Sequence, residues 1–112
     1  MNKTRRKELN SLQDRIEAAK IKLLADIESF TAELGEIETA IEELAEQEQE
    51  AYDNLTEGLQ NSDRGGAMQD AVILMEEAKG VLESARFIVE DIDGSDLDAA
   101  FESLDNAKGM AK

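Results

Sequence analysis

The chain has 112 residues, 35% of them charged and 4% aromatic, and a formal net charge of -15, with no Cys, His, Trp or Pro. Without Cys there is no disulfide framework, thiolate zinc site or thiol nucleophile. Without His the commonest general base and metal ligand is missing, so no enzymatic activity, cofactor or metal is expected.

Ala, Glu, Leu and Ile dominate a Pro-free, highly charged sequence, which is the composition of long helices and coiled coils. The expected fold class is all-α: a single domain over 1-112, built as a long, coiled-coil-like antiparallel helical hairpin with a short C-terminal helix. The start, MNKTRRKEL, is basic but leads into no apolar stretch of signal-peptide or membrane-spanning length, so a soluble intracellular protein is expected. Charge is uneven: residues 1–24 carry seven Lys or Arg against three acids, and residues 25–112 carry five against 24.

In the first half, apolar residues fall at Leu9, Leu12, Ile16, Ala19, Leu23, Ile27, Phe30, Leu34, Ile37, Ile41 and Leu44, with Ala51 and Leu55 continuing the phase. Steps of three and four predict one helix over about residues 4–52, capped by Thr4. Consecutive steps of four at 19, 23 and 27 mark a stutter, where the packing phase shifts. Gly35 lies on the outer face in this register.

The pattern stops over 53–62, in a stretch rich in Asn, Asp, Ser and Gly. Thr56 to Gln60 is expected to form a short helical turn, and Ser62 or Asn61 to cap the next helix with Asp63 near its positive end. Gly65 and Gly66 follow Arg64 without a phosphate-loop motif, and serve either a tight turn or a close start of the second helix against the first. Tyr52, Met68 and Met75 read as packing residues.

The second helix, about 63–93, repeats Met68, Ala71, Met75, Ala78, Leu82, Ala85, Val89 and Ile92, and stops at Gly94. Ser95 with Asp98 forms a capping-box-like start for a third helix, about 96–108, lined by Leu97, Phe101 and Leu104. Equal rise along two antiparallel helices sets residue 92 beside residue 24, so the stutter is expected where the second helix ends. Leu9, Leu12 and Ile16 then need cover from the third helix or a second copy. The acids of 90–105 opposite the basic head favour the third helix region, and a homodimer completing a helical bundle is expected.

Four constellations are candidates for function. Between Ala25 and Glu57 there are twelve acids and no base, about one negative charge per 4 Å of helix, close to the roughly 3.4 Å phosphate spacing of a DNA strand. The candidate partner face is Glu33, Glu36, Glu42, Glu43, Glu46, Glu50, Asp53 and Glu57, competing with a simple solvated helix face. The basic head, Lys3, Arg5, Arg6 and Lys7, followed by Arg15, Lys20 and Lys22, lacks the interleaved aromatics of a base-stacking surface and is expected to satisfy acids of the same assembly, so direct nucleic-acid binding is not expected. Asp91, Asp93, Ser95 and Glu102 occupy positions 1, 3, 5 and 12 of a calcium-loop template. Asp96 stands where that template needs Gly, and consecutive helix caps explain these residues better.

Tyr52-Asp53-Asn54-Leu55-Thr56-Glu57-Gly58-Leu59-Gln60, then Ser62-Asp63-Arg64-Gly65, with Arg5-Arg6-Lys7-Glu8-Leu9 upstream, resembles the shared motif of small acidic helical proteins of bacterial prophages and mobile elements. Thr56 replaces that motif's Pro. The resemblance implies a cytoplasmic protein of the bacterial host cell, and a non-enzymatic one that binds and inhibits a host defence protein, itself basic and nucleic-acid-binding. Nucleic-acid mimicry is the corresponding mechanism, and a virion accessory or scaffold coiled coil is the alternative.

Overall fold

The computed structural model describes residues 1–110, and these form four helices and no strand, so the chain is all-α. They are α1 (Lys3–Asp53), α2 (Glu57–Gln60), α3 (Asp63–Glu90) and α4 (Ser95–Lys108). The last two residues of the expected 1-112 domain lie outside the described residues. No described helix is long and apolar enough to cross a membrane.

Local chemistry sets the boundaries. Asn2, rather than Thr4, begins α1: its side-chain Oδ1 accepts from Arg5 N–H at 2.8 Å. Ser62 caps α3, accepting from Gly65 N–H, and Asp63 stands in the first turn. The expected capping box at Ser95 does not form. Asp93 Oδ1 instead accepts from Ser95 N–H at 2.9 Å, Gly94 takes a left-handed φ of 77°, and Asp98 is drawn to Lys20 Nζ at 2.7 Å.

The chain divides into two compact units: Met1–Ser29 with the chain from Ile92 onward, and Phe30–Asp91. In the first unit α4 runs antiparallel to the start of α1. Gln13 is buried and donates to the Phe101 carbonyl at 3.2 Å, while Lys108 Nζ donates to Asn10 Oδ1. Leu12, Ile16 and Ala19 line one open groove with Leu97 and Leu104 of α4, which leaves Leu12 43% exposed.

In the second unit α3 runs antiparallel to the later part of α1. Arg86 forms a two-pronged pair with Glu38, at 2.8 and 3.1 Å, and Lys79 reaches Glu42 at 3.2 Å. These pairs place the C-terminal end of α3 beside about residue 34 rather than 24. The short α2 and its turns take up chain that equal-rise counting had assigned to paired helix.

The buried seam keeps alternate positions of the apolar pattern and stands one residue later at those between them. On α1 it runs Leu34, Glu38, Ile41, Ala45, Gln49 and Tyr52, with Leu55 just beyond the helix, all buried or half-buried. Phe30, Ile37 and Leu44, expected inside, are 48%, 38% and 55% exposed. On α3 the seam runs Gly65, Met68, Val72, Met75, Lys79, Leu82, Arg86 and Val89. Glu38 can occupy the seam because Arg86 opposes it, and a buried charge without such a partner is costly. In the first unit Gln13 and Lys20 displace Leu12 and Ala19 from the seam in the same way. The consecutive steps of four therefore fall at Leu23, Ile27 and Thr31.

Candidate acidic groove

Successive residues on a helix are turned by about 100°, so a residue just after a seam position stands on one flank and a residue just before it stands on the other. Two antiparallel helices share flanks of the same sense, because the two-fold rotation relating them preserves it. The residues after the seam are Glu42, Glu46, Glu50 and Asp53 on α1 and Glu76, Gly80 and Glu83 on α3. They line one groove of about 490 Å³, floored by Ile41 and Ala45 with Lys79 between its walls.

Six carboxylates thus face one ammonium. Lys79 is held protonated above its ordinary range, first by its hydrogen bond to Glu42 and then by the charges of Glu42, Glu83 and Glu38, against the opposing effect of burial. Beneath the groove, the Arg86 guanidinium lowers the Glu38 carboxyl below its ordinary value, outweighing the burial that would raise it. The groove is therefore strongly negative at neutral pH and suited to a cationic ligand. Glu42, Glu46 and Glu50 rise about 6 Å per step along α1. No group of three or more Asp or Glu side chains among the described residues converges closely enough to hold a metal ion. The spacing suits a row of Lys or Arg side chains better than one ion.

Of the eight acids expected on one face, Glu42, Glu46, Glu50 and Asp53 come together in the groove. Glu36 and Glu43 lie two residues before Glu38 and Ala45, about 200° round the helix, and point away from the seam. Glu33 and Glu57 are exposed and line no part of the groove. Glu76 and Glu83 also line the groove, although they lie on α3, outside the continuous acidic run of α1. The signal that finds them is their position one residue after Met75 and Leu82.

The basic head lies in the other unit. Lys3, Arg5 and Lys7 are exposed, while Arg6 is half-buried. Lys20 is the basic residue near it that finds an acid of α4, and its hydrogen bond with Asp98 raises its pKa. In the region of the calcium-loop template, Asp93 caps α4, and the hydrogen bonds from Ser95 lower its pKa. No family model, curated protein or solved structure matches the chain.

Proposed function

We propose that this chain is a non-enzymatic helical interaction protein whose acidic groove takes a Lys- or Arg-rich segment of a protein partner. The observation that carries this reading is a groove lined by six carboxylates from two helices and a single lysine. Rows of carboxylate on α1 and α3 present a basic, nucleic-acid-binding protein with charge where it otherwise meets phosphate, so occupation of its nucleic-acid site follows. The resemblance of the 52–65 segment to prophage and mobile-element proteins makes a host defence protein, in the bacterial cytoplasm, the target of such inhibition.

The test is capture from a bacterial host lysate by the wild-type chain and by a Glu46→Lys/Glu50→Lys/Glu76→Lys variant. All three positions are exposed, so helicity should be retained. Wild type should retain a basic protein that salt of about 0.5 M releases, and the variant should retain none. Equal capture by both proteins, or capture indifferent to salt, would remove the groove from the account.

A structural or assembly coiled coil is the second reading. The exposure of Phe30, Ile37, Leu44, Leu74, Val81 and Ile88 favours it. It requires assemblies that grow beyond a dimer with concentration.

A further inference from the structure

The flank opposite the acidic groove has a different chemistry. The large apolar residues just before these seam positions are Ile37 and Leu44 on α1, ahead of Glu38 and Ala45, and Leu74, Val81 and Ile88 on α3, ahead of Met75, Leu82 and Val89, on a flank that also carries Glu33 and Glu48. By the same-sense rule they share one face of the second unit. They are 38%, 55%, 63%, 64% and 70% exposed, whereas Leu34, Ala45 and Val72 are the buried apolar residues between the helices.

We propose that this face is the contact surface for a second copy of the chain, which lays the same face against it to make a four-helix bundle. Spacing supports self-recognition. Ile37 and Leu44 are seven residues apart, as are Leu74, Val81 and Ile88. The register fixed by Glu38 with Arg86 and Glu42 with Lys79 sets Ile37 level with Ile88, Leu44 with Val81, and Ala51 with Leu74. Each layer takes one residue from each helix, and a two-fold mate brings layers of identical pitch, as an isologous interface requires.

Area supports it independently. The five residues with Phe30 expose on the order of 600 Å² per protomer, so a pair would bury on the order of 1,200 Å², within the range of stable interfaces and beyond an ordinary monomer patch. Because the two flanks are opposite, the dimer leaves both acidic grooves open, one on each outer side. This inference does not depend on what the grooves bind.

Sedimentation equilibrium of the full chain tests it, alongside Leu44→Asp/Val81→Asp and Leu44→Ala/Val81→Ala variants whose helicity is followed by circular dichroism. Wild type should be a dimer that tightens as salt rises, because two copies of charge -15 repel. The aspartate pair, present in both copies, removes four side-chain burials and should weaken it about ten-thousandfold, roughly tenfold per lost side chain. The alanine pair, which preserves helix propensity, should weaken it about tenfold or more. A monomeric wild type overturns the proposal, as does an unchanged dimer in either variant with native helicity. An Ile21→Asp control, at a 66% exposed position of the first unit, should leave the dimer intact, and its dissociation would relocate the interface and overturn the assignment.

Discussion

Gly65→Ala should destabilise the protein although Gly→Ala in a helix is ordinarily favourable. A β-carbon built on Gly65 would fall 2.6 Å from both the Leu59 carbonyl oxygen and the Gln60 carbonyl carbon, and closer still to the Gln60 oxygen. These are backbone atoms of α2 and cannot rotate away. Nor can α2 withdraw freely, since Gln60 Nε2 donates to the Tyr52 carbonyl at 3.1 Å and Ser62 caps α3 through Gly65 N–H. Overpacking of this kind costs about 1–3 kcal/mol, against about 0.4–1 kcal/mol gained from the restricted unfolded chain.

The net loss of about 1–2 kcal/mol corresponds to a fall in Tm on the order of 5–15 °C for a unit of this size. Gly66→Ala is the matched control, because its β-carbon meets nothing within 4 Å; it should raise Tm by a few degrees, on the order of 0.5 kcal/mol. Thermal melts by far-UV circular dichroism at fixed protein concentration measure both, fixed because oligomerisation makes Tm concentration-dependent. A Gly65→Ala variant melting at or above wild type would refute the close approach of α2 to α3, and equal losses at both glycines would refute its specificity.

Leu34→Ala removes one of the buried apolar side chains of the seam and should cost about 2–4 kcal/mol in urea unfolding, whereas Ile21→Ala, at an exposed position, should change stability by less than about 0.5 kcal/mol. Gly94→Ala forces an L-residue into a left-handed φ of 77° and should cost about 1–2 kcal/mol, with Gly94→Asn milder. Glu38→Gln tests the sign of the buried pair with pH. The folded carboxyl titrates below its ordinary 4.5, so its contribution is fully present above that value and is lost as pH falls through the lower folded value. The stability gap between wild type and Glu38→Gln should therefore be constant between about pH 7 and about pH 5.5 and close at lower pH. A gap that widens on acidification contradicts the assigned direction.

The sequence made the helices legible, because steps of three and four without Pro leave few other structures, and it narrowed the cap of α3 to Asn61 or Ser62 and marked the short turn at Glu57–Gln60. It did not reveal which stripe is buried. A periodic search follows apolar residues, and here Gln13, Lys20 and Glu38 sit in the seam while Leu12, Ala19 and Ile37 stand one residue earlier. Only a partner can bring a carboxylate inside, and Arg86 is 48 positions away in the chain. Pairing at that distance is invisible to any local window. The register error has the same origin: counting rise from a turn assumes its length, and α2 consumed part of the chain that counting gave to the helices.

The Glu38 and Arg86 pair has a consequence larger than its own energy, which for a charge pair taken out of water is a weak source of stability. With apolar seams alone, antiparallel helices whose apolar rows repeat every seven residues could slip by a heptad and still match. A two-pronged carboxylate–guanidinium contact matches at one position, so it selects the register. Seating Glu38 inward also rotates α1 so that Ile37 and Leu44 come out on one flank and Glu42 and Glu46 on the other. In the second unit one buried charge pair therefore accounts for both an exposed apolar face and an acidic face on the opposite flank.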